Sequence, residues 1–233
     1  MHAAKHPHPG RVNRRLESME KLLEGVRRFQ NVGGSRYGSL FRRLAEEGQR
    51  PHTLFITCAD SRVVAELVTD SQPGELFVVK NVGNIVPPSG IVGMTNATAA
   101  AVEFAVEVLR VGDIVVCGHS HCGAINALLR PPGNGRHLPH LASWLELAEP
   151  VRESLRSRCP GGDFTEEHLR AAEERNVLFT LDNLRTYASV QARLDEGSLR
   201  LHGWFFDIAT GTLRRHDADR GRFVALANGE CSS

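Results

Sequence analysis

Two short stretches, Cys58-Ala59-Asp60-Ser61-Arg62 and His119-Ser120-His121-Cys122, bring together thiols, imidazoles, a carboxylate and a guanidinium. Cys58, His119 and Cys122 offer two thiolates and one imidazole, the borderline-soft donor set that zinc favours. His119 and Cys122 stand three apart in a turn flanked by Gly118 and Gly123, close enough to bind a single ion. A structural zinc site is closed by a fourth Cys or His, whereas only Asp60 and His121 lie nearby in sequence. A carboxylate or a water in the fourth position makes the site read as catalytic.

Both stretches follow strand-like runs. Thr53–Thr57 and Asp113–Cys117 are short, apolar and rich in β-branched residues, as buried strands are. Strand ends are where open α/β sheets place their chemistry. Leu76–Lys80 reads as another strand, and Asn96–Arg110 as an alanine-rich helix before the strand at Asp113. Gly83, Pro87, Pro88, Gly90 and Gly93 make 81–93 a turn-rich loop, and Gly123–Leu129 continues the second motif as a short helix. Helical segments are expected over 138–158 and 164–185, then a strand at Ser198–Asp207 and a hairpin through Gly211 to Leu213–His216. The alternation predicts an α/β fold with a mainly parallel four-stranded sheet, an antiparallel edge strand and flanking helices.

Before this core, Val12, Leu16, Met19, Leu22, Leu23, Val26 and Phe29 recur at helical spacing, with Asn31 and Gly33-Gly34 as the expected stop and a second helix at Tyr37–Glu47. The apolar stripe packs either on a partner subunit or on the chain's own sheet. The organisation expected is a disordered tail at 1–10, carrying His2, His6 and His8, a helical arm at 11–48, the zinc-binding core at 49–220 and a C-terminal tail at 221–233. With 233 residues, a net charge of +1 and no basic stripe, nothing favours nucleic acid or an anionic membrane as partner. The longest apolar run, near Ala97–Val108, is interrupted by Glu103 and Glu107 and is too short to span a bilayer. Five cysteines, an odd number, and no secretory core at the N-terminus point to a reducing, cytoplasmic location. Cys117 is expected to face the core of its strand, while Cys159 and Cys231 have no assigned role.

The paired motifs Cys-x-Asp-x-Arg and His-x-x-Cys resemble those of the β-class carbonic anhydrases. Similarity continues through Pro73–Val79, Asn81-Val82-Gly83-Asn84 and His202-Gly203-Trp204, covering roughly Gln49 to Gly211. The resemblance implies zinc-dependent, reversible hydration of carbon dioxide to bicarbonate and a proton. In that scheme zinc carries a hydroxide, Asp60 orients it, and Arg62 holds Asp60 ionised and off the metal. Asp60 becomes a fourth zinc ligand in a closed state if that pair breaks. By the same resemblance Gln49 is a donor to substrate, Phe77 and Val82 are the apolar wall of its pocket or simple core, and Gly123 is a close backbone approach. A homodimer or higher even oligomer is implied, with residues of one subunit reaching the zinc of its neighbour.

Departures also carry information. Bicarbonate-inhibited members hold a second bicarbonate with Trp, Arg and Tyr; the corresponding positions are Phe55, Lys80 and Phe206, which predicts that this inhibitory site is absent. Phe104 stands where plant-type members carry a Tyr, and His121 becomes either a proton shuttle or a packing residue beside the metal loop. The competing readings are a carbon disulfide or carbonyl sulfide hydrolase on the same fold, and a non-catalytic zinc- or bicarbonate-binding protein. Retention of Gln49, Asp60 and Arg62 argues against the last, because a structural metal has no use for them. A zinc deaminase is excluded by the absence of its His-x-Glu and Pro-Cys-x-x-Cys signature.

Overall fold

The computed structural model describes residues 9–91, 95–131, 137–156, 159 and 163–226. The chain divides into two compact units between Gln49 and Arg50. In the first, α1 (Pro9–Arg28) passes through a π-helical turn, Phe29–Gly33, into α2 (Gly34–Glu47). The glycine pair expected to end the first helix is therefore carried through. A π turn takes up an extra residue without breaking the helical run, and the Phe29 and Phe41 rings meet 6.2 Å apart. Met19, Leu22, Leu23, Val26 and Phe29 are largely exposed, so this part of the predicted stripe presents an apolar surface. Pro9 and Gly10, expected in the tail, begin α1; His2, His6 and His8 lie outside the described residues, as does Cys231.

The second unit opens with β1 (Thr53–Cys58), α3 (Ala65–Thr69), β2 (Leu76–Asn81) and α4 (Ala97–Glu103), which runs into a π turn at Phe104–Val108. Asn96 caps α4 by accepting the Ala99 N–H at 2.9 Å. Next come β3 (Asp113–His119), α5 (Gly123–Leu129), α6 (Pro139–Glu146), α7 (Glu149–Arg156), α8 (Glu166–Leu184) and α9 (Ala188–Asp195). β4 (Arg200–Asp207), β5 (Thr212–Asp217) and β6 (Arg222–Ala225) complete the unit. The sheet runs β2-β1-β3-β4-β5-β6, parallel through β4 and antiparallel beyond it.

The α/β class, the four parallel strands and the antiparallel edge agree with the sequence reading. Two differences have physical causes. A second antiparallel strand, β6, forms in the segment expected to be tail, because Phe223 is buried against Phe205 and His216, at ring separations of 5.9 and 5.3 Å. The helix expected over 138–158 is two, α6 and α7, while α3 and α9 are too short to give a periodic signal.

Alternation along β1 and β3 sorts the core into two faces. Leu54, Ile56, Ile114 and Val116 point to one side, with Val177, Leu184 and Phe205; Phe55, Val115 and Cys117 point to the other, with Phe206. Gly118 on β3 lets α8 approach, since a Cβ there would stand 2.6 Å from a Val177 methyl. That close approach sets α8 beside the loop that follows β3.

Candidate metal centre

β1 and β3 are parallel neighbours with Thr57 opposite Cys117, so their C-terminal ends lie side by side. Cys58 ends one and His119 the other. The chain then turns through His121 in a left-handed conformation, φ 55°, and Cys122 becomes the N-cap of α5. An L-residue adopts that conformation at a cost, which here brings His119 and Cys122 together.

The ligand atoms of Cys58, His119 and Cys122 all lie within 4.8 Å of one another, and all three residues are buried. The sulfurs are 3.9 Å apart; two Zn–S bonds of ~2.3 Å at a tetrahedral angle would put them ~3.8 Å apart. His119 Nδ1 lies 2.9 Å from the Ser120 carbonyl, which can only accept, so Nδ1 carries the proton and Nε2 keeps its lone pair. That Nε2 is buried without a hydrogen-bond partner, as an atom meant for a metal would be. The residues therefore fit a dication.

The charges agree. The adjacent Cys122 thiol brings Cys58 down to about 4, against burial and with help from His119 and the Gly83 and Asp60 backbone. Once Cys58 is ionised it pushes Cys122 strongly upward, and burial adds to this. Two thiolates this close need a cation between them. Burial opposes the charged form of His119, yet Cys58 and the Ser120 carbonyl outweigh it and move its pKa up.

Asp60 follows at the rim. Its Oδ1 accepts from Arg62 Nε at 2.9 Å and from the Arg62 N–H at 3.0 Å, and its Oδ2 accepts from an Arg62 terminal nitrogen at 2.7 Å. This bidentate grip holds the carboxyl far below its usual range. Oδ2 still stands 4.0 Å from His119 Nε2, facing the triad while paired away from it. Arg62 also donates to the His121 carbonyl at 3.1 Å, tying the two motifs together. Lys80 Nζ donates to the carbonyls of Asp60 and Val63 at 3.2 and 2.6 Å, fastening both ends of the turn.

The structure thus brings together Cys58, His119, Cys122, Asp60 and Arg62. Gly123 opens α5 directly after Cys122, with open space where a Cβ would stand. Val82 is 42% exposed, and its carbonyl accepts from Trp144 Nε1 at 2.6 Å. Phe77, half-buried, packs on the core and lies 5.8 Å from the Phe104 ring. Gln49 is the exposed last residue of the first unit. His121 projects outward, with Nδ1 3.9 Å from Glu166. Phe55 and Phe206 are buried in one cluster, and Cys117 is buried in its strand.

Sequence reasoning passed over Glu173 and Asn176. Buried Glu173 accepts the Cys122 N–H at 2.7 Å, and Asn176 donates to the Gly83 carbonyl at 2.8 Å. Burial raises Glu173 to about 7, although the Cys122 N–H works against it. The signal was present as a run of polar residues at helical spacing along α8.

Comparison with known proteins gives the family. A family model described as Carbonic anhydrase matches residues 53–213. The solved β-carbonic anhydrase CcaA superposes with a TM-score of 0.84 at 38% identity, covering 91% of this chain and 94% of that one. This chain belongs to the β-class carbonic anhydrases. Among relatives, the carbonic anhydrase of Pseudomonas aeruginosa is 44% identical over 209 residues, covering 90% of this chain and 92% of its own length. Carbonic anhydrase 1 of Escherichia coli O157:H7 is 42% identical, covering 90% and 93%. Tetrameric β-carbonic anhydrases of Sordaria macrospora match with a TM-score of 0.75 at 30% identity, over 90% of this chain and all of that one. As a carbonic anhydrase, the chain is an enzyme whose Cys-His-Cys centre can hold a metal ion.

Proposed function

We propose that this carbonic anhydrase is zinc-dependent and interconverts carbon dioxide and bicarbonate through an attacking oxygen oriented by Asp60 and Arg62. The observation that carries the reading is Asp60 Oδ2, paired to Arg62 at 2.7 Å yet only 4.0 Å from His119 Nε2. Held by Cys58, His119 and Cys122, zinc would supply the Lewis acidity that brings water toward hydroxide near neutral pH. Asp60 accepts a hydrogen bond from the attacking oxygen and so turns a lone pair toward the substrate carbon. Arg62 stops that carboxylate from swinging onto the ligand set, and loss of the pair would free Asp60 to become a fourth ligand.

Carbon dioxide needs a small apolar pocket with few donors. Gly123, with open space beside it, and exposed Val82 suit its lining. The family resemblance adds Phe77 to this wall, although its ring also packs on the core beside Phe104. The exposed stripe of α1 supports assembly as a homodimer or a higher even oligomer. Among the described residues no helix is long and apolar enough to cross a membrane. Cys117 and Cys159, neither of them in a disulfide, suit a cytoplasmic setting.

The test is stopped-flow carbon dioxide hydration by the zinc-loaded protein across pH. Rate acceleration that rises toward alkaline pH supports the reading; a protein with one zinc per chain and no acceleration contradicts it.

A further inference from the structure

Helix α8 buries a row of polar side chains: Glu173, Asn176, Thr180 and Asn183 are each 5% exposed or less. Their spacing puts them on one helical face. Each reaches a backbone group of a neighbouring loop. Glu173 accepts the Cys122 N–H at 2.7 Å, and Asn176 donates to the Gly83 carbonyl at 2.8 Å. Thr180 and Asn183 donate to the carbonyls of Asn84 and Val86 at 3.2 and 2.8 Å.

An aliphatic face here would leave the Cys122 N–H and the Gly83, Asn84 and Val86 carbonyls buried and unpaired, so all four side chains serve the loops they touch. Asn176 even keeps its Oδ1 buried without a hydrogen-bond partner. Pairing a buried backbone group is common to all four, and what sets two of them apart is where their contacts end. The first two contacts end on the metal centre: Cys122 is a ligand, and the Gly83 N–H points at Cys58 Sγ, 3.4 Å away. The Gly83 peptide needs holding in place. Its φ is +82°, and a Cβ there would press to 3.2 Å from Ala124 Cβ.

We infer that α8 positions both thiolates of the metal centre, Cys122 directly through Glu173 and Cys58 through Asn176 and the Gly83 peptide. This rests on the reading of Cys58, His119 and Cys122 as metal ligands. Glu173 and Asn176 are positioning residues: they touch neither metal nor substrate, but fix the direction from which each sulfur is presented and, at Cys58, the hydrogen bond it receives. Outer contacts of this kind tune metal affinity.

The experiment measures zinc affinity by chelator competition, and the sulfur-to-cobalt absorption of the cobalt(II)-loaded protein, alongside the thermal midpoint of the metal-free form. Glu173→Ala and Asn176→Leu are expected to weaken zinc about 10- to 100-fold and to shift the cobalt band. Asn176→Asp, which turns an acceptor toward the Gly83 carbonyl at unchanged volume, should do the same. Glu173→Gln keeps an oxygen able to accept the Cys122 N–H and should stay close to the wild type. Asn183→Leu, further along the same row, should lower only the thermal midpoint. Wild-type affinity and spectrum in Glu173→Ala and both Asn176 variants would overturn the inference, as would an equal spectral shift in Asn183→Leu. A wild-type protein that takes up neither metal would instead overturn the reading of the metal centre itself.

Discussion

Asp60 and Asp113 are held in nearly the same way and sit at opposite ends of the parallel strands. Arg62 grips Asp60 at 2.9 and 2.7 Å, and Arg200 grips Asp113 at 2.9 and 3.0 Å. Asp113 starts β3 and also pairs with His202 Nε2 at 2.7 Å, so its oxygens are committed to Arg200 and His202 on β4. Asp60 lies beyond the end of β1, and its Oδ2 stands beside a buried triad with an unpartnered nitrogen. The arginine pair is therefore no mark of catalysis on its own. What separates the two carboxylates is the neighbour that remains unsatisfied.

The sharpest break of this contrast is at the triad. Cys58→Ser should lose zinc and with it all measurable hydration, read as metal content per chain; full zinc occupancy would remove Cys58 from the ligand set. Next, Asp60→Asn should keep zinc and cut kcat by about 10²-fold or more, while zinc loss in that variant would make Asp60 a permanent ligand. Arg62→Lys, which gives up the bidentate fork, should lower turnover, whereas Arg200→Lys should leave it unchanged. A smaller effect is expected at Lys80→Met, which frees the Asp60 and Val63 carbonyls: turnover should drop less than in Asp60→Asn, with Lys80→Arg partly restoring it.

The smallest effect concerns pH and stability. Burial pushes the Asp113 carboxyl up, but Arg200 and His202 outweigh it and hold it below its ordinary value of 3.8. A group lowered on folding adds stability above its unfolded pKa and loses it as pH falls through the folded one. Asp113→Asn should therefore lower the thermal midpoint by about 2–4 °C near neutral pH, with the gap to the wild type closing below about pH 4. A gap that stays constant with pH would mean that the pair adds no charge-dependent stability.

Much of the site was legible because its parts are local. Cys58, Asp60 and Arg62 fall within one turn of chain, His119 and Cys122 within another, and each turn follows a strand with a clear apolar run. The bounds of α5 and the start of α4 could be read for the same reason. Long-range relations were not legible. Glu173 lies 51 residues from Cys122, and Asn176 lies 93 from Gly83, so no spacing rule links them. A polar face on α8 reads as solvated when it is in fact buried against loops. β6 is four residues long, and its one buried aromatic, Phe223, gave no alternation to find. The glycines at 33 and 34 looked like a helix end because local propensity says nothing of a π turn.

The measurement that bears most directly on the account is zinc content and stopped-flow hydration made side by side on the wild type, Asp60→Asn and Asp113→Asn. One zinc per chain in all three, with turnover lost in Asp60→Asn and kept in Asp113→Asn, is the predicted result. Equal turnover in the two variants would contradict the claim that the carboxylate facing the triad orients the attacking oxygen.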